Sequence, residues 1–230
     1  MKYPIGIQDF EKIIKGGYVY VDKTALIHKL VTEGSIYFLS RPRRFGKSLL
    51  VSTLKNYYLG KKELFKGLAI DALENDWAEY PVFHIDFNGN DFTQAGTLKD
   101  IIEGSIASWE AEYGKDPNFT NIGRRFSYIL EQAHKKYGRR AVVLIDEYDK
   151  PILDVLDTGY ATTIEGEKRL LEDQHREILK GFYSVFKEAD EHLQFVLLTG
   201  VTKFSQVSVF SGFNQPADIS MDYRYDALCG

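Results

Sequence analysis

Three short polar clusters in this chain have residue types and spacing suited to phosphate chemistry. The first is Gly46-Lys47-Ser48. A glycine there lets the backbone pass close to phosphate oxygens. The lysine ammonium reaches β- and γ-oxygens, and the serine hydroxyl is a hard ligand for Mg²⁺. The second is Asp146-Glu147, at the end of the apolar run Ala141-Val-Val-Leu-Ile145. Its aspartate would hold Mg²⁺ directly or through water, and its glutamate would orient the attacking water or accept its proton. The third is Thr199-Gly200, which closes Leu193-Gln-Phe-Val-Leu-Leu198. A hydroxyl at such a strand end can meet the γ-phosphate or the water, with Thr202 as second candidate. A Thr that merely caps the turn is an equal alternative.

Each cluster needs an element to aim it. Ile36-Tyr-Phe-Leu39 is rich in strand formers, and Ser40 to Phe45 is a polar turn. A helix is predicted from Lys47 to about Leu59, with Leu50, Leu54, Tyr57 and Tyr58 on one face and Gly60 at its end. Strand, tight turn, G-K-S and helix is the context of a phosphate-binding loop, in which the helix N-terminus attracts the anion. The full pattern wants Gly at position 41, where this chain has Arg41. Alone, the motif competes with an ordinary strand-to-helix turn. The strand ending in Asp146-Glu147, of the Walker B type with its own glutamate, decides for nucleotide binding. The nucleotide-binding stretch is Arg41, Arg43, Arg44, Phe45, Gly46, Lys47, Ser48 and Leu49, with Ser48 and Asp146 for the metal. Arginine suits bidentate phosphate contacts, although some of the three could instead turn outward to carboxylates.

The rest of the pattern alternates strand and helix. Asp9 to Ile14 reads as a short helix stopped by Gly16-Gly17, and Tyr18-Val-Tyr-Val21 as a strand. Asp22 is placed to cap a helix over Lys23–Glu33. Val82 to Phe87 is a strand with His84 and Asp86 on the face opposite Phe83, Ile85 and Phe87, a polar or hydrogen-bonded face rather than a functional pair. Two helices follow, marked by Leu98 to Trp109 and by Ile122 to Ala133. A short helix is expected after Pro151, then a polar loop from Asp157 to Gly166, and a long helix from about Lys168 to Ala189. His175 lies in its apolar row as a core-edge residue. Asp218-Ile-Ser220 reads as a short fifth strand. Such alternation implies an α/β fold: a parallel sheet with helices on both faces, a three-layer αβα sandwich with its ligand at the carboxyl ends of the strands.

Composition sets the bounds. With 230 residues, 44% hydrophobic and 27% charged, the chain can bury one substantial core. A net charge of −4 argues against a protein dominated by nucleic-acid binding. Lys135, Lys136, Arg139 and Arg140 form a basic cluster, read as a solvated turn rather than a nucleic-acid contact. The single cysteine, Cys229, excludes an internal disulfide and a cysteine metal site, and no histidine has metal-ligand spacing. No apolar run approaches a membrane span and the N-terminus has no signal-peptide core, so a cytoplasmic protein is expected.

Phe38-Leu-Ser-Arg-Pro-Arg-Arg-Phe-Gly-Lys-Ser48, Leu144-Ile-Asp-Glu-Tyr-Asp-Lys-Pro151 and Leu198-Thr-Gly-Val-Thr-Lys-Phe-Ser205 resemble the AAA-ATPase-like family of bacterial proteins. Tyr20-Val-Asp-Lys-Thr24 and Phe210-Ser-Gly-Phe213 match it too, so the resemblance spans nearly the whole chain. Arg41 in place of Gly is then normal. The resemblance implies a P-loop NTPase of the AAA/STAND group, with strand order 5-1-4-3-2, using ATP and Mg²⁺. It implies Glu147, Lys47 and Thr199 as catalytic residues. In related ATPases the segment before the loop lies against the adenine, which makes Tyr18 and above all Tyr20 candidates for base contact; core packing is the favoured alternative. Residues 1–35 would be an extension on the ATPase core of residues 36–230.

The family's ATPase part is commonly followed by a PD-(D/E)XK nuclease-like domain. No lysine of this chain has Asp or Glu two residues before it, so any nuclease lies outside these residues. The chain is expected to be cut before a C-terminal lid. A homo-oligomer or C-terminal effector domain would then supply an arginine finger, since only Arg224 follows the Thr199 strand. The expected function is an Mg-dependent ATPase acting as motor or switch. The alternatives are a nucleotide-binding signalling module with little hydrolysis, and the regulatory half of a nuclease.

Overall fold

The apolar runs become strands of one parallel sheet in the computed structural model, which describes residues 1–164, 166–203 and 216–229. Its strands are β1 (Ile36–Ser40), β2 (Val82–Asp86), β3 (Ala141–Asp146), β6 (Leu193–Gly200) and β7 (Ala217–Asp218). They lie in the order β2-β3-β6-β1-β7 and every pairing is parallel. Counting these five strands in chain order gives 5-1-4-3-2, the order expected. β3 is buried along its whole length, because helices cover both faces and its side chains alternate between two cores.

One core joins Val143, Ile145, Val196 and Leu198 to α4 (Thr97–Tyr113), α5 (Ile122–Tyr137) and α7 (Leu171–Tyr183). The other joins Val142, Leu144, Phe195 and Leu197 to α1 (Phe10–Lys15), α2 (Thr24–Glu33) and α3 (Lys47–Tyr58). α1 is tied to α3 by the Phe10 N–H, which donates to Ser52 Oγ at 2.9 Å, and Phe10 packs on Phe65, beyond the end of α3, at 4.8 Å. α2 starts at Thr24 with Lys23 at its N-cap position, one residue later than expected; Asp22 precedes the cap, and its Oδ1 accepts from the Thr24 N–H at 2.8 Å.

Phe126 is the keystone of the first core. Its ring stacks on Trp109 at 5.1 Å and on Phe182 at 5.2 Å, and meets Phe83 edge-on at 5.7 Å. Phe126→Ala is expected to destabilise the fold by about 3–5 kcal/mol through lost burial and the cavity left behind. Urea unfolding should show a lower midpoint at unchanged slope. A loss below about 1 kcal/mol would mean that the site collapses around the smaller side chain.

The structure corrects three sequence expectations. Tyr18 to Val21 form no strand. The segment pairs with neither edge strand, β2 or β7; Val19 N–H bonds to the Lys2 carbonyl at 2.8 Å and Tyr18 N–H to the Ile13 carbonyl at 3.0 Å. The expected loop from Asp157 to Gly166 contains β4 (Ala161–Ile164), which pairs antiparallel with β5 (Glu167–Leu170). Too polar for an apolar alternation, this hairpin stands apart from the main sheet. Because β5 takes residues up to Leu170, α7 starts at Leu171, later than expected. It ends at Tyr183, where the Ser184 hydroxyl turns back to the Gly181 carbonyl, and α8 (Val185–Glu188) resumes the path. Between β3 and β4 lies the short helix expected after Pro151, α6 (Lys150–Leu153), which starts one residue before that proline and includes it. The match at Phe210-Ser-Gly-Phe213 lies outside the described residues.

Other polar groups are placed as follows. The basic cluster is neutralised locally: Lys135 by Glu131, Lys136 by Glu112, and Arg139 by Asp76, while Arg140 donates to Gln194. His175 is fully inside the core, its Nδ1–H donating to the Pro151 carbonyl at 2.7 Å. On β2, Asp86 is exposed and accepts from the Asn88 N–H, whereas burial pushes the His84 imidazole below its ordinary pKa. No helix among the described residues is long and apolar enough to cross a membrane.

Candidate functional site

The parallel register brings three strand ends to one level: Asp146 is the last residue of β3, Ile145 pairs with Leu198, and Leu39 pairs with Thr199. The turn from β1 to α3 arches over this edge. Two of its residues take left-handed backbone conformations, Arg44 at φ 69° and Gly46 at φ 85°, with Phe45 between them on the ordinary side. Alternation of this kind points successive N–H groups into one concavity, which favours an anion. At Arg44 the conformation costs about 1–2 kcal/mol, since its Cβ crowds the carbonyl. Gly46 is the N-cap of α3 and contributes no side-chain cap, so the first-turn N–H groups face the loop unscreened.

Lys47 is buried, at 4% exposure, and its ammonium is fully engaged. It donates to the Arg41 carbonyl at 3.1 Å and the Pro42 carbonyl at 3.4 Å, and lies 3.3 Å from Glu147 Oε1. Two residues that are a hundred positions apart in sequence thus form one ion pair. Glu147 follows β3 in a left-handed conformation, φ 54°, which turns its side chain towards the loop. Burial pushes its carboxyl above the ordinary value; Lys47 opposes that, and Asp146 and Asp149 add to it.

Asp146 is 2% exposed. Its Oδ1 accepts the Thr199 hydroxyl and, at 3.2 Å, the Glu147 N–H. Thr199 itself is fully buried, so the threonine that the sequence singled out does touch the aspartate. Thr202, the second candidate, bonds elsewhere: its hydroxyl donates to Asp149 Oδ2 at 2.9 Å.

The structure places the remaining candidates as follows. Ser48 is half-buried in the first turn of α3 and Leu49 follows it, also half-buried. Phe45 is 42% exposed at the loop tip. Arg43 and Arg44 are exposed and Arg41 is half-buried. Among the described residues no carboxylate pairs with Arg41, Arg43 or Arg44, so three cations surround the loop without local neutralisation. Tyr20 packs edge-on against Phe10 at 5.2 Å and hydrogen-bonds Thr53 of α3, a core contact. Arg224 is held by Asp222 at 2.5 Å.

The donor set suits a hard cation. A serine hydroxyl at the head of α3 and a carboxylate at the end of β3 are the oxygen ligands that Mg²⁺ accepts, since it keeps waters and phosphate oxygens for its other positions. A site built wholly from protein ligands is not required, and among the described residues no group of three or more His, Cys, Asp or Glu gathers.

Asp149 is a residue that the sequence did not single out: Lys150 pairs with Asp154 at 2.5 Å, and Asp149 bonds to the chain leaving β6. No sequence periodicity signals such a contact.

Comparison with known proteins agrees with this geometry. The family model described as a predicted AAA-ATPase matches residues 4–210. This chain belongs to the AAA-ATPase-like family. It is 45% identical over 231 residues to a protein of Azotobacter chroococcum mcd 1 whose printed name is "Uncharacterized protein in vnfD 5'region". The match covers 100% of the chain and 43% of that relative, so the chain spans less than half of the relative's length. No solved structure matches. The chain is thus a member of a family of predicted AAA-ATPases, on a parallel αβα sandwich.

Proposed function

We propose that this ATPase-like domain binds Mg-ATP and hydrolyses it, driving or switching an effector attached to it or recruited by it. The observation that carries the reading is the contact between Lys47 Nζ and Glu147 Oε1 at 3.3 Å, beneath a loop with left-handed residues at 44 and 46. It joins the lysine expected on β- and γ-oxygens to the glutamate expected on the attacking water.

In this reading Lys47 leaves its loop carbonyls and Glu147 to meet the γ-phosphate. Glu147, released from the ammonium, orients a water and accepts its proton. The first-turn N–H groups of α3 and the three loop arginines hold the phosphates. Ser48 and Asp146 would hold Mg²⁺, which when bound neutralises charge on the phosphate oxygens. Thr199 fixes the Asp146 carboxylate through its hydroxyl, and its position at the end of β6 faces the γ-phosphate region. Tyr20 as a base contact and an arginine finger from a second copy or a longer chain belong to the same proposal.

The test is nucleotide binding and phosphate release by the purified chain, with ATP and GTP side by side and Mg²⁺ removed by a chelator. ATP turnover that disappears with the chelator and returns with added Mg²⁺ is expected. Turnover that is equal with and without Mg²⁺ would remove Ser48 and Asp146 from the mechanism. Tight binding with no phosphate release under any condition would favour a signalling module instead.

A further inference from the structure

The chain leaving β6, Thr199 to Thr202, is gripped from two sides. From the β1 side, Ser40 Oγ donates to the Val201 carbonyl at 2.9 Å and the Arg41 N–H to the Gly200 carbonyl at 3.1 Å. From the β3 side, the Tyr148 N–H donates to the Thr199 carbonyl at 2.9 Å and the Tyr148 hydroxyl to the Thr202 carbonyl at 2.7 Å. Asp149 completes the grip. Its Oδ2 accepts from the Val201 N–H at 3.0 Å, the Thr202 N–H at 2.7 Å and the Thr202 hydroxyl at 2.9 Å.

Two features set this carboxylate apart from a helix cap or a surface charge. Asp149 is the N-cap residue of α6, where an aspartate ordinarily accepts from its own helix, yet it makes no side-chain cap there. It is also 1% exposed, and a buried carboxylate is tolerated only with charge-assisted partners. All three of those partners come from the neighbouring strand exit. Gly200 makes the approach possible: a Cβ there would lie 2.4 Å from Tyr148 Cε1 and 2.7 Å from Asp149 Oδ1.

We propose that Asp149 is the positioning residue of this site, locking the exit of β6 onto the exit of β3. The proposal rests on the ATPase reading above. Glu147 approaches the site one residue past the end of β3, and Thr199 from the last residues of β6, where it still pairs with Leu39 of β1. The seam fixes their spacing. Backbone and side chains that slip by about an ångström lose roughly a hundredfold in rate while still binding ligand. His175 also holds α6, through the Pro151 carbonyl at 2.7 Å, an anchor that does not involve Asp149.

The experiment compares the parent chain with Asp149→Ala, Asp149→Asn and Gly200→Ala. It measures kcat and KM for Mg-ATP, affinity for Mg-ADP, the melting temperature, and amide exchange at Val201 and Thr202. Asp149→Ala is expected to lower kcat about a hundredfold, to keep Mg-ADP affinity within about threefold, and to speed exchange at both amides. Asp149→Asn keeps an acceptor oxygen and should recover at least about tenfold of the rate. Gly200→Ala, which drives a methyl group into the seam, should lose kcat in the same way, and it carries the test if Asp149→Ala does not fold. A kcat within about twofold of the parent in the folded variants overturns the proposal. So does Mg-ADP affinity that falls in step with kcat, which is the mark of general structural damage. A parent chain with no ATP turnover overturns the ATPase reading itself, a result distinct from parental turnover that the variants share.

Discussion

Glu147→Gln is expected to keep Mg-ATP affinity near the parental value and to lose about 10²–10⁴-fold in turnover, the range that a positioned general base contributes. The amide has the size and shape of the carboxylate and fits the same left-handed backbone, but it cannot accept a proton. The structure gives this residue the environment of a base. It is half-buried; burial and the nearby Asp146 and Asp149 push its carboxyl upward, and Lys47 opposes that rise. A base nearer the working pH takes a proton more effectively than an ordinary surface carboxylate. Removing the charge also frees Lys47 from its ion pair, which favours triphosphate and offsets any packing loss. The kinetic signature is a drop in kcat with KM unchanged or lower. Single-turnover phosphate release on a saturated variant reads the chemical step directly. A parental rate there would place the activation of water on some other group.

Which of these features the sequence made legible follows from the physics of each. β3 and β6 were legible because strands buried on both faces read as unbroken apolar runs, and α3 because its buried residues recur at helical spacing. The turn from β1 to α3 was legible because a run of strand formers gives way to Gly46-Lys47-Ser48 and then to apolar residues at helical spacing. The β4–β5 hairpin was hidden: its strands are four residues long, and β5 (Glu-Lys-Arg-Leu) is exposed throughout, without apolar alternation. Tyr18 to Val21 misled in the opposite sense. Their aromatic and β-branched residues satisfy a strand pattern, but their N–H groups bond to the Lys2 and Ile13 carbonyls and Tyr20 packs on α1 instead. Asp149 was the harder loss. Its partners are backbone N–H groups more than fifty residues away, and a carboxylate that bonds to a distant main chain leaves no trace in local composition. The sequence assigned Lys47 and Glu147 to one nucleotide, but neither their direct contact nor the two loop carbonyls that share the ammonium could be read from it.

Lys47→Ala is expected to weaken triphosphate binding by roughly 30- to 150-fold, taking about 2–3 kcal/mol for a lost contact to a charged partner. Diphosphate binding should fall by about tenfold or less, because the first-turn N–H groups and the loop arginines still hold the remaining phosphates. The structure adds a second contribution to the loss. With the ammonium gone, Glu147 stays half-buried beside the phosphate site without its cation, and an unpaired carboxylate repels the incoming γ-phosphate. The single variant therefore measures both a lost attraction and a new repulsion. A double-mutant cycle separates them. Adding Glu147→Gln to Lys47→Ala removes the repulsion, so the double variant should bind ATP more tightly than Lys47→Ala alone, with a coupling of about 0.5–3 kcal/mol. Isothermal titration with ATP and ADP on the parent, both single variants and the double variant gives every corner of the cycle. Additive effects would mean that Lys47 and Glu147 act on the nucleotide independently, and equal ATP affinity in Lys47→Ala and the parent would remove the loop lysine from the binding site.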